Sequence, residues 1–249
     1  QQLPLASLTK VMTALVAKES IPDFTIITVP DDIPKVDARV IQPGQKWTLK
    51  ELIDYTLVVS SNEGARSVAS VVGGLEILET KDSAIQSQNP REWFIKKMNQ
   101  KARELGMSQT YFINESGLDV SEPGFVSGAY GSAKDLTTLF TVTLREHPEL
   151  FEATTHDLLL VHSQNRSYTA ENSNKIVNQL PGLIASKTGL TDLSGGNLVV
   201  AIDVGINHPI IIAVLGSSEN GRFTDITTLS NASEYVYICN DDHLHNKMF

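Results

Sequence analysis

Ser7 and Lys10 stand three positions apart in Ala6-Ser7-Leu8-Thr9-Lys10, and Leu8, Val11, Met12, Leu15 and Val16 recur at helical spacing through Lys18. That spacing stacks a hydroxyl and an amine on one helical face, near enough for the amine to take the hydroxyl's proton. The free N–H groups and positive field of a helix start lie where an oxyanion would develop. Alone the pair is weak, because roughly one Ser-x-x-Lys arises by chance in a chain of this length. Ser60-Ser61-Asn62 brings two hydroxyls and an amide to the junction of two helical patterns. Taken by itself, that tripeptide is more simply an N-cap supplied by Asn62. Lys187-Thr188-Gly189 closes an apolar strand-like run. An edge strand there can hold an extended peptide, Lys187 and Thr188 suit a carboxylate, and side-chain-free Gly189 admits a ligand closely. The bland alternative is a solvated lysine followed by a bend.

The elements that must position these residues read helical first. Pro4 suits the entrance of the first helix and Ile21-Pro22 its exit. Thr48 and Glu51 form a capping box for a helix through Leu52, Ile53, Tyr55 and Leu57. Asn62 then caps a helix carrying Ala65, Val68, Ala69 and Val72, which Gly73-Gly74 should stop. Trp93 to Leu105 is helical with Gly106 as its stop, and Ser132 with Asp135 opens another helix reaching Leu144. Residues 114–129 are a Gly- and Ser-rich loop. From Leu183 the period changes to strands at 183–188, 197–204 and 209–216, the last two joined by a turn at Gly205-Ile206-Asn207-His208. A closing helix runs from Arg222 to Tyr237. The result is an α+β fold: an antiparallel sheet flanked by helices, with a mostly helical lobe inserted.

Across 249 residues, 41% hydrophobic, 20 Lys+Arg against 29 Asp+Glu give a net charge of −9. That balance speaks against nucleic-acid partners, whose phosphates it repels. The single cysteine, Cys239, excludes an intrachain disulfide and any cysteine metal cluster, and reads as a small buried hydrophobe. No apolar run is long enough to span a bilayer, and the opening at Gln1 gives the expectation of a processed protein whose export signal or anchor, if any, lies outside these residues. His243 and His245 fit a polar tail better than a metal site, Trp47 and Trp93 fit packing, and the sequons at Asn114, Asn165 and Asn231 are incidental. The histidines form no recognisable Ser-His-Asp pattern.

Order and mutual spacing say more than any single motif. Ser7-Leu8-Thr9-Lys10, Ser60-Ser61-Asn62 and Lys187-Thr188-Gly189, with Gly117-Leu118-Asp119, Ser132-Ala133-Lys134-Asp135-Leu136, Ser194-Gly195-Gly196 and Leu215-Gly216 before Arg222, cover nearly all the chain. The set resembles the D-alanyl-D-alanine carboxypeptidases, the low-molecular-mass penicillin-binding proteins. The resemblance implies a β-lactamase/DD-peptidase-like fold forming one transpeptidase-like catalytic domain over residues 1–249. Its helical lobe would occupy about 30–180, and its sheet and closing helix about 181–238. Such families usually place a strand of the central sheet before the Ser-x-x-Lys helix; only six residues precede Ser7 here, so that segment is missing or the sheet is completed differently.

The resemblance also implies roles. Ser7 is the acylated nucleophile, Lys10 the general base, and Ser60 the proton relay to the departing amine. Asn62 holds the substrate amide, while Lys187, Thr188, Gly189 and, more weakly, Arg222 bind the terminal carboxylate side. The backbone N–H groups of Ser7 and Leu190 make the oxyanion hole. Burial and a positive Lys187 should both depress Lys10. The expected partner is a peptidoglycan stem peptide ending in D-Ala-D-Ala, with β-lactams as covalent inhibitors, an extracytoplasmic location, and no metal or organic cofactor. Two alternatives remain at this point. A class A β-lactamase would need a Glu-x-x-Leu-Asn segment that is not found before Lys187, and a catalytically inactive peptidoglycan-binding module would not need the Ser-x-x-Lys pair. Transpeptidation by the same machinery also stays open.

Overall fold

A computed structural model describes residues 1–33, 41–121, 124–205 and 207–245. Its helices are α1 (Thr9–Ser20), α2 (Leu49–Val58), α3 (Asn62–Glu79), α4 (Ser83–Gln86), α5 (Pro90–Glu104), α6 (Ala133–Glu146) and α7 (Gly221–His245). The strands are β1 (Leu3–Pro4), β2 (Ile26–Thr28), β3 (Lys46–Thr48), β4 (Tyr111–Phe112), β5 (Ala129–Gly131), β6 (Leu158–Ser163), β7 (Arg166–Glu171), β8 (Leu183–Thr191), β9 (Gly195–Asp203) and β10 (Pro209–Ser217).

The periodicity suggests one buried face for α1, but every residue from Thr9 to Ala17 is buried. Helices α2, α3, α5 and α6 surround it. Fully burying Leu8, Met12 and Leu15 contributes about 1.5–3 kcal/mol each. That packing, rather than any surface feature, fixes the helix behind Ser7.

Cap chemistry sets the helix starts. Thr48 accepts from the Glu51 N–H as expected, while the Glu51 carboxylate reaches the His162 N–H on β6 instead of completing the box. The expectation that Asn62 caps α3 is corrected: Ser61 is the cap, accepting from the Gly64 N–H at 3.0 Å. Nor does Gly73-Gly74 stop α3, which continues to Glu79. A Cβ on Gly73 would lie 2.1 Å from the Pro90 carbonyl oxygen, so this glycine lets α5 start directly against α3. Gly106, at φ +70°, ends α5 as expected, and Ser132 caps α6.

Strands β8, β9 and β10 form an antiparallel sheet in the order β10-β9-β8, leaving β8 at an edge. The apolar run of β9 is buried on both faces. Val199 and Ala201 join the main core with α1, whereas Leu198, Val200 and Ile202 join Ile212, Phe223 and Ile226 in a smaller core under α7. The short strand β1 pairs with β5 rather than with this sheet. Strands β2 and β3, and β6 and β7, make two further antiparallel pairs within the segment expected to be mostly helical. In the turn after β9, His208 N–H donates to Gly205 O, and Asn207 adopts φ +59°. Ile206 lies outside the described residues, as do the side chains of Cys239, His243 and His245. Trp47 is buried and stacks on Tyr168. No helix among the described residues is long and apolar enough to cross a membrane.

Candidate active site

Ser7 sits in the 3-10 turn Ala6–Leu8 that leads into α1. This turn is held under strain: Ala6 takes φ +48°, a region costly for residues with a side chain. Its surroundings over-determine it. Thr9 Oγ1 donates to Ala6 O at 2.7 Å. Asn197, on β9, donates from Nδ2 to the carbonyls of Pro4 (3.0 Å) and Leu5 (3.1 Å), and its Oδ1 accepts from Gly216 N–H. Gly117 presses from the loop side, where a Cβ would come within 1.8 Å of Ala6 O. From the sheet side Gly189 does the same job, since a Cβ there would meet Leu5 O at 3.0 Å and Ala6 Cβ at 3.2 Å. The bare backbone of Gly189 is therefore required by the turn that carries Ser7, one residue before Leu190.

Lys10 is fully buried. Its Nζ lies 2.7 Å from Ser7 Oγ, 2.8 Å from Asn62 Oδ1 and 2.9 Å from Ser116 O. Two of these partners are carbonyl oxygens, which can only accept. A neutral amine donates its two hydrogens to them and turns its lone pair to Ser7 Oγ. Burial lowers Lys10 to about 7, with the charges of Glu115 and Glu63 working in the opposite direction.

Asn62 reaches Lys10 because Ser61 has taken over the capping. Ser60 itself has φ +65° at the α2–α3 junction, and its Oγ accepts from Lys187 Nζ at 2.8 Å. Lys187 also donates to Thr188 O at 2.8 Å. Burial is, as expected, the largest influence on Lys10. Lys187 is itself lowered well below the ordinary lysine range, by burial first and then by the charges of Lys10 and Arg222. Two buried amines that feel each other's charge do not both hold a proton readily, and an incoming carboxylate would restore the charge on Lys187.

Thr188 Oγ1 pairs with Ser173 Oγ at 2.7 Å. Ser173 also takes Val58 O, at the end of α2, through its N–H (2.9 Å) and its hydroxyl (3.0 Å). If Ser173 gives its one hydroxyl proton to Val58 O, Thr188 must donate to Ser173. Arg222 is buried, places Nη1 2.7 Å from Gly189 O and lies over the Phe223 ring. It thereby supports the backbone of β8. Asp119 ties the loop to the same sheet by accepting from Thr191 Oγ1 and Leu193 N–H.

All three sequence motifs thus meet. Sequence reasoning missed Asn197, Ser116 O and Ser173. Asn197 did leave a trace, as an amide in an otherwise apolar strand; a backbone carbonyl leaves none. A cavity of about 370 Å³ opens beside Asn62, walled by Glu63, Glu115, Leu118 and Asp119 among others. A larger one of about 670 Å³ lies between Leu3, the start of α6 and β10, and none of the candidate residues lines it.

A family model described as D-alanyl-D-alanine carboxypeptidase matches residues 1–219. The chain belongs to that family. D-alanyl-D-alanine carboxypeptidase DacB2 of Mycobacterium tuberculosis is 29% identical over 220 residues, covering 88% of this chain and 68% of that protein. The Bacillus subtilis carboxypeptidase DacF is 27% identical over 240 residues, 92% of this chain and 55% of its own length. Among solved structures, penicillin-binding protein D2 of Listeria monocytogenes in its cefotaxime-bound form superposes with a TM-score of 0.74 at 25% identity, over 93% of this chain and 87% of that one. A D-alanyl-D-alanine carboxypeptidase of Mycobacterium tuberculosis gives a TM-score of 0.71 at 25% identity, over 89% and 76%. The resemblance read from the motifs holds, and so does the α+β fold it implied. These carboxypeptidase relatives do not favour the β-lactamase or inactive-module readings.

Proposed function

We propose that this chain is a serine-type D-Ala-D-Ala carboxypeptidase that acts on peptidoglycan stem peptides outside the cytoplasmic membrane and is acylated by β-lactams. The observation that carries the reading is the Lys10 amine, 2.7 Å from Ser7 Oγ, with its other two directions taken by carbonyl oxygens. Neutral Lys10 accepts the Ser7 proton as Oγ bonds to the carbonyl carbon between the two D-alanines. The N–H groups of Ser7 and Leu190 steady the oxyanion. As the C–N bond breaks, Ser60 gives its proton to the departing amine and is refilled through Lys187, 2.8 Å away. Asn62 orients the acyl side, and Lys187 with Thr188 and Gly189 engages the terminal carboxylate. Arg222 acts behind Gly189, through the strand backbone. A water then gives its hydroxyl to the acyl carbon and its other proton to the Ser60–Lys187 pair, while Lys10 returns its proton to the departing Ser7 Oγ, so the shortened peptide leaves and each group regains its starting state. The core shared by α1, β8 and β9 supports treating the chain as a single catalytic domain.

The test mixes protein with benzylpenicillin and follows mass, then assays D-alanine release from a diacetyl-Lys-D-Ala-D-Ala peptide. A persistent adduct on Ser7 and release by the wild type but not by Ser7→Ala are expected. Rapid β-lactam turnover without an adduct, or no release from either protein, overturns the reading.

A further inference from the structure

Arg91, in the first turn of α5, donates through Nη2 to both carboxylate oxygens of Glu115, at 2.8 and 3.0 Å. Glu115 is only 3% exposed. A carboxylate buried this deeply is costly without its cation. The pair stands one residue from the grip on the catalytic amine. Glu115 O accepts from Thr13 Oγ1 at 2.6 Å, and Ser116 O accepts from Lys10 Nζ at 2.9 Å. Two successive carbonyls are therefore fastened to one side of α1, while the Glu115 side chain just ahead of them is fastened to α5.

Charged and polar groups face Lys10 from every side. Ser7 comes from its own element, Asn62 and Glu63 from α3, Glu115 and Ser116 from the loop, and Lys187 from β8 with Arg222 of α7 behind it. Of the two carboxylates, Glu115 is paired to a guanidinium, whereas Glu63 accepts from the Ser61 hydroxyl.

We propose that Arg91 is a positioning residue for Lys10: it clamps the Glu115–Ser116 segment against α1 and offsets part of the Glu115 charge, which favours a proton on the amine. The proposal rests on the acylation reading above. The direction follows from Coulomb's law, because an unpaired carboxylate beside an amine favours the charged amine.

The experiment measures the pH dependence of benzylpenicillin acylation for the wild type, Arg91→Gln, Arg91→Lys, Glu115→Gln and the double variant Arg91→Gln/Glu115→Gln, with melting curves for each. For Arg91→Gln the midpoint should move about one pH unit upward, which is roughly a fivefold slower rate at pH 7 that recovers by pH 9. Arg91→Lys should return the midpoint to that of the wild type. Glu115→Gln should lie below the wild type, and the double variant should not lie above it. A uniform loss at all pH values in Arg91→Gln, with the midpoint fixed, overturns the proposal and marks the ion pair as structural only. If Arg91→Gln melts, Glu115→Gln decides, and an unmoved midpoint there is equally fatal. A wild type that is never acylated defeats the acylation reading itself, a distinct result.

Discussion

Lys187 Nζ lies 2.8 Å from Ser60 Oγ, joining an edge strand to the junction of two helices across 127 positions of sequence. Neither residue would be placed there by its local surroundings. Ser60 is turned toward the lysine by a left-handed backbone at φ +65°, and Lys187 is brought in by its register opposite Val199 in the sheet. Strain at one end and strand pairing at the other close this one hydrogen bond.

Acylation should rise with pH along a titration centred near 7, where buried Lys10 loses its proton. Stability carries a matching signature. Between about 7 and the ordinary lysine value of 10.5 the unfolded chain binds a proton that folded Lys10 has released, so stability increases as pH climbs through that window. Lys187, also depressed, adds in the same direction. Lys10→Met should lose at least about 1,000-fold in acylation rate. In melting experiments from pH 7 to 9, the wild type should gain relative to Lys10→Met.

Asn197→Ala removes three hydrogen bonds at once, two to the carbonyls before the nucleophile and one from Gly216. A loss of about 2–4 kcal/mol in stability is expected from denaturant titration, because buried carbonyls lose their donors. The acylation rate should fall roughly 10- to 100-fold as the Ser7 turn loosens.

Gly117→Ala puts a methyl group 1.8 Å from Ala6 O at a position with φ +77°. Acylation should drop about 100-fold, with a lower melting temperature. Gly106 supplies the control, having φ +70° but open space around its Cβ position. Gly106→Ala should cost only about 1 kcal/mol and leave the acylation rate intact.

Arg222→Leu separates support of β8 from direct ligand contact. Because Nη1 is engaged by Gly189 O, losses of similar size, about tenfold, are expected for acyl donors with and without a terminal carboxylate. A loss confined to carboxylate-bearing donors, measured as kcat/KM, would instead assign Arg222 to the ligand.

The legible parts of the site were those whose chemistry is local. Ser7 and Lys10 share a helical face by spacing alone, and Ser132 and Gly106 announce helix boundaries by their own conformational preferences. Ser61 and Asn62 show where locality ends. Both are competent caps, but Ser61 takes the Gly64 N–H and Asn62 Oδ1 is left to Lys10, 52 positions away. Gly73 resembles a stop signal, but the deciding contact is the Pro90 carbonyl on another helix. The β2–β3 pair escaped because its strands are only three residues long, too short for an alternation to register, and the six-residue β6 and β7 show no clean alternation because each buries a single side chain, Val161 and Ala170.

One nitrogen, Lys10 Nζ, is moored to three separately anchored pieces: its own helix, the start of α3, and the 114–119 loop. Slippage of any one of them re-aims the lone pair without unfolding anything else. Heat should therefore silence this catalyst in stages, with the loop's hold giving way while the hydrophobic interior is still intact, so that inactivation precedes melting and reverses on cooling.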